Sequence, residues 1–127
     1  MSISMYQASV PAFVQMLNNL SAILDKAEAY AKNRKIDPEV LINYRLAADM
    51  LPFITVAFVQ SARPKEVDGS EDREINLTLG EHTMSFKGQP YLVHFVMPNF
   101  YFHCTTAYDI LRHCGVELGK RDFIGTI

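Results

Sequence analysis

The side chains best suited to ligation or nucleophilic chemistry are four histidines, His82, His94, His103 and His113, and two cysteines, Cys104 and Cys114. Three of the histidines fall in one long apolar stretch. On a straight helix His94 and His103 are turned about 900° from one another, onto opposite faces, so one metal ion cannot take both unless the helix is broken between them. Pro98 stands between them and deprives the carbonyl of His94 of its usual donor, which would allow such a break. Asn99 and His103 are one turn apart, and Thr106, Ile110 and His113 roughly continue their face. Asn99, His103 and Thr106 therefore form a polar strip on an otherwise apolar helix. Buried polar groups must find partners, so the strip is expected to face a polar cavity or other hydrogen-bonding groups inside the fold. There His103 is either a core histidine bonded to a carbonyl or tyrosine hydroxyl, or a ligand for a metal or substrate. His94 carries the same two readings. Asp49 is a carboxylate that either faces the interior or is simply solvated. His103, Asn99, Thr106, His94 and Asp49 are the candidate pocket residues, and replacing His103 with alanine is expected to destabilise the fold by orphaning a buried partner.

The remaining groups have simpler readings. His113 lies beside Arg112 near a predicted helix end, where a cation suits the negative end of the dipole. His82, beside a turn, reads as a surface residue. On a shared helix Cys104 and Cys114 are about 15 Å apart, too far for a disulfide, and neither belongs to a Cys-x-x-Cys or zinc spacing. They read as small buried hydrophobes, which suits a reducing, cytoplasmic setting. No glycine-rich dinucleotide or phosphate loop, Gly-x-Ser-x-Gly or His-Glu-x-x-His occurs.

The elements that must position these residues can be read from periodicity. The chain has 127 residues, 49% hydrophobic and 20% charged, with a net charge of -2, as expected of one globular domain. The near-neutral balance argues against a nucleic-acid or anionic-membrane partner, and no apolar run is long enough to span a bilayer. The first helix is predicted from a cap at Ser4 to a stop near Asn33, with Tyr6, Val10, Phe13, Leu17, Leu20, Leu24, Ala27 and Ala31 inward and a kink or restart at Pro11. The second opens at Asp37 and Pro38 and is interrupted by Pro52. Residues 54–62 are an apolar run that could be a strand or a short helix. A charged loop, 65–74, reads as a solvated connection. Alternation in Ile75–Leu79 and His82–Phe86 around Gly80-Glu81 predicts a β-hairpin. The last helix is predicted from Gln89-Pro90 to Gly115 and is apolar nearly all round, so it is central in its fold or lies on a second chain, which makes a homodimer the expected state. Leu118 and Phe123 should anchor a packed tail.

One mismatch stands out. The outer helices would each be about 36–43 Å long, whereas 54–62 could supply only about 13 Å of a third. Either a neighbouring chain covers the difference, or part of a helical hairpin is missing from the sequence.

Several strings carry a resemblance that bears on this. Ser4-Met5-Tyr6-Gln7-Ala8-Ser9-Val10-Pro11, Leu17-Asn18-Asn19-Leu20, Lys35-Ile36-Asp37-Pro38, Asp68 to Glu74, His94-Phe95-Val96-Met97-Pro98-Asn99-Phe100 and Gly115 to Phe123 resemble the domain of unknown function family nineteen-ninety-three. That family is similar to the DinB-like bundles. The resemblance implies an all-α, up-down-down-up four-helix bundle with a small β-hairpin before the last helix, often dimeric. It also implies that one domain, residues 1–127, lacks a stretch near 53–54 that relatives carry. Many DinB-like proteins hold a metal through three histidines, one on the second helix and two on the last. By the resemblance His103 occupies one such position, but Asn99 stands at another and no histidine precedes Gly80. A divalent transition metal is therefore disfavoured and no cofactor is expected. Two functional readings remain. One is a non-catalytic bundle protein whose pocket near Asn99 and His103 holds a small molecule or nothing. The alternative is a metal-dependent or histidine-based enzyme, of hydrolase or transferase type, acting on an unknown small substrate.

Overall fold

The computed structural model describes residues 3–43 and 67–126. Helix α1, Met5–Arg34, begins with a reciprocal cap: the Gln7 N–H donates to Ser4 Oγ at 3.2 Å, and the Ser4 N–H donates to Gln7 Oε1 at 3.2 Å. The loop before the hairpin adds to this cap. Asp68 Oδ1 accepts the Tyr6 N–H at 2.8 Å, placing a carboxylate at the positive end of the helix dipole. A segment expected to be mere solvated connection thus ties down the start of the longest helix.

Two details of α1 differ from the sequence reading. The helix does not restart at Pro11 but continues through it. Pro11 and Gln7 are both exposed, so the carbonyl that Pro11 orphans is open to water and the loss is tolerated. The stop falls at Lys35, whose backbone turns left-handed at φ 56°. The Lys35 N–H donates to Lys32 O at 3.2 Å and the Ile36 N–H to Ala31 O at 2.9 Å, closing a Schellman motif. Helix α2, Pro38–Asn43, starts as expected, with Asp37 Oδ1 accepting the Glu39 N–H at 3.0 Å. The rest of the predicted second helix, Asp49, Pro52 and the 54–62 run lie outside the described residues.

Strands β1, Glu74–Leu79, and β2, His82–Lys87, form the predicted antiparallel hairpin, Leu79 facing His82 across Gly80-Glu81. Gly80 supplies the positive φ of 61° that the tight turn needs. Ile75 pairs with Phe86 and Leu77 with Met84 on the half-buried face, while Asn76, Thr78, Thr83 and Ser85 face outward. Phe86 holds the hairpin to the helix after it, its ring 5.5 Å from that of Tyr91 and 5.6 Å from that of Phe95.

The last long helix, α3, spans residues 88–113 in three parts. It opens as α-helix Gly88–Tyr91, widens into a π-helical stretch Leu92–Val96, and continues as α-helix Met97–His113. Its start precedes the expected Gln89-Pro90 because buried Gly88 lets the backbone pack where any Cβ would collide with Ser70 O. Its end is a second Schellman motif: the Gly115 N–H donates to Arg112 O at 3.0 Å and the Val116 N–H to Leu111 O at 3.1 Å, with Gly115 at φ 93°.

α1 and α3 run side by side in the same direction, as the first and last helices of an up-down-down-up bundle must. Phe13 meets Phe100 at 4.4 Å between ring centroids. Further along, Met16 and Leu20 cluster with Cys104 and Ala107. Beyond them, Ile23, Ala27 and Ala31 pack with Leu41 of α2 and with Tyr108, Leu111, Val116 and Leu118. The stripe read on α1 is inward except at Leu24, 36% exposed, and the core also takes Met5, Met16 and Ile23. The tail folds back as a one-turn helix, α4, Lys120–Ile124, against α1. Asn19 Nδ2 donates to Phe123 O at 3.1 Å and Lys26 Nζ to Asp122 Oδ1 at 2.7 Å.

Candidate functional site

The π-helical stretch decides how the candidate residues are presented. In an α-helix Pro98 would clash with the carbonyl of His94; a wider turn moves that carbonyl aside, and the Met97 N–H donates instead to Leu92 O, five residues back. The break that Pro98 would allow between His94 and His103 takes the form of a widened turn, and the helix continues. The two imidazoles remain about 13 Å apart along its axis, beyond the reach of one ion. Asn99 bonds a neighbouring carbonyl, not the one that Pro98 leaves without a donor. Its Nδ2 donates to Phe95 O at 2.7 Å, one turn back on its own helix.

The strip itself does not face inward. Asn99 and His103 are exposed, Thr106 is half-buried, and His94 is exposed on the π-helical stretch. The reason lies in which part of α3 touches α1. Cys104, Ala107, Tyr108 and Leu111 make that contact, and Asn99, His103 and Thr106 sit on its flank and rear. His103 contacts the Phe102 ring edge-on at 5.5 Å. The expectation of a buried strip is thus corrected to a surface one, and with it the forecast that His103→Ala orphans a buried group. Asp49 lies outside the described residues, so the five candidates are brought together only as far as Asn99, His103 and Thr106.

The other reactive groups are accounted for. Cys104 is buried, and desolvation pushes its thiol up to about 11; Cys114 is half-buried and also raised by desolvation. Both are free, and both thiols stay protonated at neutral pH, so neither is an activated nucleophile. The carbonyl of Cys114 accepts the Tyr30 hydroxyl at 3.0 Å. His82 is exposed, as expected.

A groove of about 500 Å³ lies between the hairpin and the start of α3, lined by Met5, Ser70, Arg73, Tyr91, Leu92 and Val96 among others. It takes in the π-helical stretch but neither Asn99 nor His103. No sequence motif announced it, because it is assembled from three separate elements.

Fold and site define a class, the DinB-like helical bundles. The chain is similar to a crystal structure of a DinB family member protein from Shewanella denitrificans, at 29% identity with a TM-score of 0.75, covering 96% of this chain and 92% of that one. The family described as Domain of unknown function (DUF1993) matches residues 5–56 and 54–124, and the chain belongs to it. No match is found among curated proteins. Where the resemblance expects metal ligands, the described donors are an exposed His103 and an exposed Asn99, whose Nδ2 donates to Phe95 O. No three His, Cys, Asp or Glu side chains converge among the described residues. A carboxamide is a weak ligand for zinc or nickel, so these residues do not fit a transition-metal centre.

Among the described residues no helix is long and apolar enough to cross a membrane.

Proposed function

We propose that this chain is a non-catalytic, cytoplasmic binding protein of the DinB-like class, taking a small uncharged molecule against the Asn99, His103 and Thr106 strip without a metal. The observation that carries this reading is the state of Asn99. At a position where the resemblance expects a metal ligand, its Nδ2 donates to the Phe95 carbonyl of its own helix. The surroundings support a neutral ligand, since no Asp, Glu, Lys or Arg occurs from Gly88 to Tyr108 and aromatic rings flank the strip. The strip offers amide, imidazole and hydroxyl groups, which orient a ligand by hydrogen bonds rather than by charge.

Elemental analysis of protein purified without chelator tests the metal-free part, with far less than one transition metal per chain expected. One equivalent of zinc or nickel would overturn it in favour of a metal-dependent enzyme. A library of neutral aromatic fragments followed by NMR tests the site. Binders should shift the Asn99 side-chain and His103 ring signals, and His103→Ala should weaken them; binders that shift only the groove lined by Tyr91 and Leu92 would move the site there.

A further inference from the structure

We infer that the groove between the hairpin and the start of α3 is a binding site for an apolar monocarboxylate, its charged end at Arg73 and its chain along Leu92 and Val96. The groove holds about 500 Å³, within the range of small-molecule sites, and takes in neither Asn99 nor His103. Its walls are tied together before any ligand enters. Asp68 Oδ1 accepts the Tyr6 N–H at 2.8 Å, joining the loop to α1, and the Gln89 N–H donates to Glu71 O at 3.0 Å, joining the same loop to α3. Buried Gly88 sits against Ser70 O, where no side chain would fit. A cavity held open in this way need not be ordered by its ligand.

The polar side chains along the groove select the ligand. Most of them are already engaged: Ser70 Oγ donates to Val67 O at 2.5 Å, Asn76 Oδ1 accepts the Ser85 hydroxyl at 2.7 Å, and Glu74 pairs with Lys87 at 3.8 Å. The Arg73 guanidinium and the Tyr91 hydroxyl, which also line it, form no hydrogen bond or ion pair among the described residues. Strand alternation sorts the charges. It puts Arg73 on the side of Ile75 and Leu77, which is half-buried, and Glu74 on the outer side, opposite Lys87. The groove therefore offers one fork of N–H donors and a hydroxyl beside apolar walls of Met5, Ile75, Leu92 and Val96, the last two being the ends of the π-helical turn. A planar guanidinium suits a carboxylate, which it can hold at two points. Glu71 and Asp72 directly precede Arg73, so a single negative charge is favoured over a doubly charged phosphate.

Titration of the isotope-labelled full chain with sodium octanoate, followed by NMR, tests the site. At millimolar concentration the Arg73 Nε–H, Tyr91, Leu92 and Val96 signals should shift saturably, while the Asn99 side chain and His103 ring stay unmoved. Octanol and inorganic phosphate, each carrying half of the recognised chemistry, should bind more weakly by about tenfold or more. Arg73→Gln, at an exposed residue, should leave the fold intact and weaken octanoate by about tenfold or more, and Arg73→Glu should abolish binding. No saturable shift, equal binding of octanol and octanoate, or equal octanoate binding by the Arg73→Gln variant overturns the proposal. Shifts confined to Asn99 and His103 also overturn it, and would leave the reading of that strip standing alone.

Discussion

The two halves of the α1–α3 pair share a helix, a direction and a neighbour, yet they are built differently. Towards the helix C-termini, small and branched side chains interlock from four elements: Ile23, Ala27 and Ala31 from α1, Leu41 from α2, Leu111 from α3, and Val116 and Leu118 from the tail. Both helices end there in Schellman motifs, and the tail is pinned back by Lys26 and Asp122. Towards the N-termini, α3 is wider, richer in aromatic rings and uncharged, and Phe102 and Val93 on it are exposed. Here α1 and α3 meet through rings, Phe13 against Phe100 and Tyr101. Apolar residues do not specify an interior on their own; the same composition is core at one end and surface at the other, because burial depends on how many elements converge.

The largest test of this contrast is Ile23→Ala. Ile23 is 0% exposed, and the cavity should cost about 3–4 kcal/mol, read by urea unfolding. A loss under 1 kcal/mol would mean that the well-packed end is looser than described. Gly115→Ala should cost about 1–2 kcal/mol, because the residue sits at φ 93° and a Cβ would come 2.8 Å from the Tyr30 hydroxyl. Thermal melts of the two proteins check this.

Smaller effects are expected at the surface. The Asp122 carboxyl is held below its usual range by the Lys26 ammonium hydrogen-bonded to it, then by the Gly119 N–H and the Lys26 charge, with burial opposing. A depressed carboxyl stabilises the folded state above its unfolded pKa, and that contribution is lost as pH falls through the folded value. Stability should therefore drop below about pH 4. Asp122→Asn should remove about 0.5 kcal/mol at neutral pH, as expected of a partly exposed pair, and flatten the acid limb of a pH titration. Least of all, His103→Ala should change the stability of the monomer by less than about 0.5 kcal/mol, since its ring is exposed. A large loss in dilute chemical denaturation would place His103 in a core that the described residues do not show.

Much of the fold is legible in the sequence because its signals are local. Ser4 and Asp37 cap their helices as read, Gly80 turns the hairpin in the predicted register, and Gly115 ends α3. These depend on backbone geometry within a few residues. Other features depend on spatial neighbours. Nothing near Asp68 in sequence points to the Tyr6 amide, and the left-handed Lys35 replaces an expected stop at Asn33. Pro11 escapes a local reading because the cost of an orphaned carbonyl depends on its access to water. The candidate site is legible as residue types and spacing, but its orientation is not. Spacing puts Asn99, His103 and Thr106 on one side of a helix, and the inward direction expected for that side is the part the structure reverses.

The order of residues thus determined the helical class, the caps, the hairpin and the polar strip, all of which arise from contacts between close neighbours in the chain. Only the tertiary structure decided that α1 and α3 pair through Cys104, Ala107 and Leu111, leaving Asn99 and His103 outside. A helix has several apolar directions when it is apolar nearly all round, and the number and length of its partners select which of them is buried.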